Sequence, residues 1–320
     1  MAQSSPPYPK RASNEVFQRT VPLMGTFVTI EVVGPAAHPP QAQTSEINDA
    51  IERALGWFYR VEECCTRFEP QSEVMHLMSH PGVAIPASAI LFEAVQFALA
   101  VADETGGAFD PTVGHAMETR GFNREYRTGQ IVHTNLPSGA VSYLDVHLDA
   151  TRKTITLLRP LILDLGAVAK GLAIDLAARE LQPFENFAID AGGDLYLAGR
   201  NAKGELWSIG ISHPRRSGEL LERVSVSNQA VCTSGDYERS VLSGPEGNHI
   251  LDPRSGDSAQ CAVSVTVIAP TAMMGDAIST AAFVLGPTEG IRLFERMGVE
   301  GLIVTPSIDR FATKGFPSAA

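Results

Sequence analysis

The sequence predicts an α+β fold, and three observations carry that reading. Helical and strand-like segments follow one another in mixed order, without the regular β-α-β-α alternation that builds a parallel sheet. The helical segments repeat apolar residues at three- and four-residue steps. The strand-like segments are short, neighbouring and separated by turn residues, an antiparallel pattern.

In chain order, residues 1–16 open with Pro and Ser and predict a disordered tail. Phe17 to Val33 is β-branched and alternating, with Met24-Gly25-Thr26 inside it, and predicts a strand or hairpin. Gly34 to Pro40 reads as a loop. Thr44-Ser45 then precedes a helix whose apolar face is Ile47, Ile51, Ala54, Leu55, Phe58 and Val61. Pro86 to Glu104 predicts a second helix, ended by Gly106-Gly107. Strand-like stretches follow over 140–149 and 154–164, and Gly171 to Leu181 predicts a third helix. Phe187–Asp190 and Leu195–Ala198 read as strands flanking Gly192-Gly193. Leu206–Ile211, Leu220–Val226 and Val263–Ala269 continue the antiparallel pattern. Helices are expected from Asp276 to Leu285 and from Pro287 to Met297, and Gly301–Thr305 reads as a closing strand. No repeat or long linker divides the chain, so 17–310 is expected to be a single domain, with 311–320 as a C-terminal tail.

Composition narrows the function. At 320 residues the chain is long enough to bury a sizeable core, and 44% hydrophobic with 19% charged residues is ordinary globular composition. A net charge of −11 argues against a nucleic-acid partner, which calls for a basic footprint. An acidic enzyme binds a polyanionic nucleotide only through local devices: metal ions, backbone N–H groups and a few placed cations. Four cysteines at 64, 65, 232 and 261 show no metal-binding spacing and read as buried free thiols. No signal-peptide run and no membrane span is visible, so the expected location is cytoplasmic. A start site further upstream would change that expectation to export.

Three polar segments on apolar structure suggest the chemistry. Asp164 follows Leu161-Ile-Leu and precedes Gly166 and Lys170, so a strand is expected to run into a helix N-terminus, which presents free N–H groups to an anion. Lys170 adds either a point charge for a phosphate or a partner for Asp164; the bland reading of this segment is a capping aspartate and a surface lysine. Gly275-Asp276 has Thr280 one turn on, so a carboxylate and a hydroxyl share one helical face and can meet one Mg²⁺. A capping aspartate is the alternative there too. His249, between Asn248 and Ile250-Leu-Asp252-Pro-Arg254, sits at a loop–strand junction where it can move a proton near neutrality. Thr105 to Gly114 and Thr233 to Arg239 gather small residues, hydroxyls and aspartates as ligand loops and tight turns do. Dinucleotide-binding, P-loop and hydrolase-elbow motifs are absent from the sequence.

Taken in order, these segments resemble the FAD:protein FMN transferase family, the ApbE-type flavinylating enzymes. The matching stretches are Met24-Gly25-Thr26, Arg67-Phe68 to Ser72-Glu73, Phe109-Asp-Pro-Thr-Val-Gly114 and Asp164 to Gly171. They continue with Asp190-Ala-Gly-Gly-Asp194, Thr233-Ser-Gly-Asp-Tyr237, His249-Ile-Leu-Asp-Pro253 and Asp276 to Thr280.

The resemblance implies a two-lobed α+β fold of mixed or antiparallel sheets with flanking helices, and FAD in a cleft between the lobes. It implies that FAD is cleaved, AMP leaves, and FMN is joined through a phosphoester to a Thr or Ser of an acceptor flavoprotein. Family pattern places Mg²⁺ on Asp276, Thr280 and the backbone carbonyl of Ala167. It places FAD against Met24, Ala108-Phe109-Asp110, Asp164, Lys170, Thr233-Ser234-Gly235 and Ile250, with His249 as the base. Two departures stand out. Many family members carry a signal peptide and a lipid-anchoring cysteine, and this chain shows neither. The loop Met117 to Gly129 also lacks the tryptophan common there. Two alternatives fit the same residues: a Mg²⁺-dependent FAD pyrophosphatase giving FMN and AMP, and a non-catalytic FAD-binding protein. Retention of His249, Asp276 and Thr280 together speaks against pure binding.

Overall fold

The computed structural model of the chain describes residues 14–36, 41–134, 139–237 and 248–317. Alternating apolar residues build a long hairpin from β1 (Asn14–Leu23) and β2 (Thr26–Ala36). Its turn is Met24-Gly25, with φ of 51° and 77°, the doubly positive pair that matches the twist of a two-residue hairpin. Asn14–Val16 and Gly34–Ala36 therefore belong to strands rather than to the expected tail and loop. Residues 1–13 and 37–40 lie outside the described residues.

Helix α1 (Gln41–Cys65) starts before the Thr44-Ser45 expected to cap it and buries the apolar face read from its spacing. Two short helices went unread, α2 (Glu73–Met78) and, further along the chain, α4 (Gly114–Thr119), because six residues carry too little periodicity. Ile85–Pro86 is strand β3, so helix α3 (Ala89–Glu104) begins later than expected, where the Ser88 hydroxyl accepts the Leu91 N–H at 3.2 Å. Strands β4 (Val146–Asp149) and β5 (Thr154–Leu157) are shorter than their apolar runs. Leu161 to Leu163 are buried in an irregular segment instead of a strand, since Pro160 removes a ladder donor just before them.

Helix α5 (Gly166–Leu181) starts five residues before the expected Gly171, which places Ala167 and Lys170 in its opening turns. The hairpin β6 (Phe187–Ala191) and β7 (Asp194–Ala198) forms as read. So do β8 (Trp207–Ser212) and β9 (Leu220–Val226), while β10 (Gln229–Gly235) pairs with β7 where no strand was expected. Strand β11 (Ser264–Ala269) leads into α6 (Ala272–Met297), which is continuous apart from Gly286 at φ 75°, ψ −176°. That angle pair is open to glycine alone, and Pro287 follows, so the sequence reads as two helices. β12 (Glu300–Val304) pairs with β13 (Arg310–Ala312), and Phe316 is buried, so the expected C-terminal tail is partly built into the sheet and core.

The main sheet runs β1-β2-β6-β7-β10-β11-β12-β13 with every pair antiparallel. A second sheet runs β3-β5-β4, and β8-β9 form a ribbon. Helices α1, α3, α5 and α6 share one core with one face of the main sheet. The β8-β9 ribbon covers the other face through Trp207, Ile211, Val224 and Val226. Covered on both sides, β11 is buried at every position, with Val265 and Val267 in the first core and Ile268 in the second. This explains why apolar residues occupy both faces of the strand, with the hydroxyls of Ser264 and Thr266 buried among them. Among the described residues, no helix is long and apolar enough to cross a membrane.

The cysteines sit in this core unequally. Burial pushes the Cys64 thiol up to about 11 and raises Cys65 and Cys232 well above their ordinary value, whereas Cys261 is exposed rather than buried as expected. At pH 8 only about one Cys64 in a thousand is thiolate. Iodoacetamide at that pH should therefore label Cys261 first, read by peptide mass spectrometry. Equal labelling of Cys64 would contradict the packing at the end of α1.

Candidate active site

The polar segments of the sequence meet in one cavity of about 120 Å³. The start of α5 supplies Gly166, Ala167 and Lys170, and α6 supplies Asp276 and Thr280. Thr233 and Ser234 enter from β10, His249 and Ile250 from the following loop, and Ala108, Phe109 and Asp110 from the segment after α3. Asp164 completes this set. Met24 lines a neighbouring cavity of about 440 Å³, and Gly235 lines neither. The two cavities share Met117, Asp164, Gly166, Lys170 and His249 as walls, so they lie side by side.

Asp276 is buried in the second turn of α6, and Thr271 rather than Asp276 caps that helix. The capping alternative thus fails. One turn on, the Thr280 hydroxyl lies 3.2 Å from the Ser234 hydroxyl, which also meets the fully buried Ser279 at 2.8 Å. The Lys170 ammonium bridges Asp194 and Asp276, the latter at 3.3 Å. Asp194 is buried and also accepts the Thr233 N–H at 3.1 Å. The sequence places it in a hairpin motif without a role, and only its burial beside a glycine pair hints at one.

Asp164 pairs with Arg67 at 2.7 Å, and its other oxygen accepts the Gly166 N–H at 2.9 Å. Arg67 is 4% exposed, donates to the Phe122 carbonyl at 2.5 Å and lies 3.8 Å from Glu118. The Asp110 carboxylate accepts from Thr112 and from the Tyr143 N–H at 3.0 Å, so it frames its own loop.

His249 owes its position to a pinned loop. Asn248 accepts the Ile250 N–H at 3.0 Å and donates to the Ala259 carbonyl at 2.8 Å, closing the loop base. Arg254 beside Asp252 holds that carboxyl below the usual range and braces the turn. Arg120, at the end of α4, donates to the Gly256 carbonyl at 2.7 Å and pairs with Asp257. The imidazole packs edge-on against Phe122, ring centroids 6.5 Å apart. Residues 238–247, which include Glu238 and Arg239 of the motifs read above, lie outside the described residues.

The larger cavity has apolar and aromatic walls from Met24, Phe68, Met117, Phe122 and Tyr126. Burial first, and then the Glu62 carboxylate that accepts the Tyr126 hydroxyl at 2.9 Å, raise that phenol above its ordinary value. A polar cavity with a helix N-terminus, a lysine and hard oxygen donors joins here to an apolar slot. That pairing defines a site for a phosphate-bearing ligand with a flat apolar end.

The ApbE family model matches residues 24–303, and the chain belongs to the ApbE family. A FAD:protein FMN transferase of Escherichia coli K12 is 28% identical over 302 residues, spanning 91% of this chain and 84% of that protein. One from Treponema pallidum is 29% identical over 320 residues, spanning 92% and 86%. The crystal structure of an ApbE protein from Thermotoga maritima superposes with a TM-score of 0.80 at 30% identity, covering 94% of this chain and 97% of that one.

Arg67 is the buried group most exposed to a test. Arg67→Met removes the buried cation beside the Asp164 and Glu118 carboxylates, and losing one partner of a buried ion pair costs about 3–5 kcal/mol. Urea denaturation should show a loss of that size, and an unchanged midpoint would mean the pair contributes little.

Proposed function

We propose that this protein is a FAD:protein FMN transferase, which joins the FMN half of FAD through a phosphoester to a Thr or Ser of an acceptor flavoprotein. One observation carries the reading: in a chain of the ApbE family, His249 lines both the polar cavity and the apolar slot. The flavin ring suits the slot, with Phe68, Phe122 and Tyr126 for its faces. The diphosphate then falls at the N-terminus of α5, near Lys170.

The residues that line the polar cavity suit Mg²⁺. Among the described residues no cluster of three His, Cys, Asp or Glu could hold a metal by itself. One buried carboxylate on Asp276, the Thr280 hydroxyl and the Ala167 carbonyl nonetheless form an all-oxygen set. Mg²⁺ takes such ligands and keeps positions for water and substrate phosphate. When bound, it neutralises the diphosphate and polarises the scissile bond.

In the transfer, the acceptor hydroxyl oxygen forms a bond to the FMN phosphorus. The anhydride P–O bond breaks, and its electron pair leaves with AMP. His249 takes the hydroxyl proton, without which Thr and Ser are poor nucleophiles. Lys170 holds positive charge beside the leaving phosphate, and the walls of the slot keep the flavin from turning.

Intact-mass measurement after incubation with FAD, Mg²⁺ and a threonine-motif flavoprotein domain tests the reading. The acceptor should gain FMN minus water, and His249→Ala should slow that gain about 100-fold or more while FAD binding persists. Free FMN and AMP beside an unmodified acceptor would identify a hydrolase instead. Asp276→Ala should abolish Mg²⁺-dependent turnover, and full activity of that variant would remove Asp276 from the metal site.

A further inference from the structure

The donors assigned to Mg²⁺ come from two helices. Ala167 stands on α5, while Asp276 and Thr280 stand on α6. Their mutual distance therefore depends on how these helices cross. Besides the Lys170–Asp276 pair, two contacts outside the catalytic cavities brace the crossing.

The first is a close approach at Gly171, one turn after Ala167. A Cβ there would lie 2.4 Å from the Met273 Cα and 2.5 Å from the Ala272 carbonyl oxygen, so the two backbones touch. The second is Asp175, another turn along the same face of α5. Its two carboxylate oxygens accept the N–H groups of Ala272 at 2.7 Å and Met273 at 3.0 Å. Those are opening donors of α6, which have no partner within their own helix. Thr271 takes the next one, from Met274, at 3.3 Å. Asp175 thus caps α6 from a neighbouring helix, and its negative charge faces the positive end of the α6 dipole.

On α6, Ala272, Asp276 and Thr280 follow at steps of four, so the clamped residue and both donors share one face. Resting on the metal site proposed above, we infer that Asp175 is a positioning residue: it locks the register of α6 against α5 and so sets the gap between the Ala167 carbonyl and Asp276.

Asp175 also faces a separate cavity of about 370 Å³, which shares no lining residue with the catalytic pair. Glu93, Arg179, Glu185 and Tyr196 line it as well, and Cys232 lies close enough to feel the Asp175 charge. Burial pushes the Asp175 carboxyl up to about 6, against the pull of its two N–H donors and Arg179, and Glu93 adds to the rise. Above that pH both oxygens accept. Below it one oxygen carries a proton, and the clamp resembles that of an asparagine.

The test is Mn²⁺ binding to the full chain, followed by the paramagnetic resonance of free Mn²⁺, with no turnover needed. At pH 8, Asp175→Ala should bind Mn²⁺ about 10-fold more weakly, the scale for losing a group that orients metal ligands. Asp175→Asn keeps one acceptor and should show a smaller loss. Its deficit should also shrink as pH falls through about 6, where wild type loses its second acceptor. A merely structural role would leave that deficit constant with pH. If Asp175→Ala does not fold, the near-isosteric Asp175→Asn carries the test through its pH dependence. Wild-type Mn²⁺ affinity in the variants overturns the clamp alone. Absence of Mn²⁺ binding in wild type overturns the metal site, and the clamp with it.

Discussion

The site depends on one arrangement of buried charge: the Lys170 ammonium between the carboxylates of Asp194 and Asp276. These residues belong to α5, β7 and α6, so the cluster ties two helices to the centre of the main sheet. Removing such groups from water costs several kcal/mol per ion, and mutual attraction offsets that only with good geometry. One cation against two carboxylates leaves the cluster formally short of positive charge. The divalent cation proposed beside Asp276 would correct that deficit and offset the charge of an incoming diphosphate. Without such local positive charge a protein of net charge −11 would repel a polyanion.

Around that cluster the fold separates stiffness from access. The main sheet is covered on one face by helices and on the other by the β8-β9 ribbon, which leaves β11 no exposed position. Close packing of this kind transmits displacement instead of absorbing it. Loops add to what the helices and β10 present: the 248–259 loop carries His249 and the segment after α4 carries Phe122. Arg120 and Arg67 tie these two segments to each other and to Asp164. Loops held by a rigid frame are where binding residues are expected.

Much of this was legible in the sequence. Long amphipathic helices such as α1 and α3 announce themselves by spacing, and the β6-β7 hairpin by its glycine pair. The i, i+4 relation of Asp276 and Thr280 survives intact because both sit inside one helix. Long-range pairing was not legible. Asp164 lies next to Lys170 in sequence, yet it pairs with Arg67, ninety-seven positions away. Lys170 reaches across 106 positions to Asp276. Local pattern cannot rank such partners, because the choice is made by the crossing of elements. Asp175 goes unmarked in the sequence and Asp194 stands in a motif without a role for the same reason: each looks like an ordinary polar residue until its distant partner arrives. Leu161 to Leu163 misled in the other direction, since burial alone makes an irregular segment as apolar as a strand.

The residues that break local rules coincide with the site. A buried aspartate in the second turn of a helix adds nothing to helix propensity, and a buried Ser279–Ser234 pair could be replaced by apolar groups at little cost. Asp194 opens a strand from beneath the sheet's helical cover, where an apolar side chain would pack as well. Ion pairs in such positions are seldom more stable than well-packed hydrophobic substitutes. Stability therefore does not explain them, and their convergence on one cavity that His249 also lines does. Local rules are expected to fail where a site must hold charge away from water. Here they fail on α5, β7, β10 and α6 at the points where those elements face the same space.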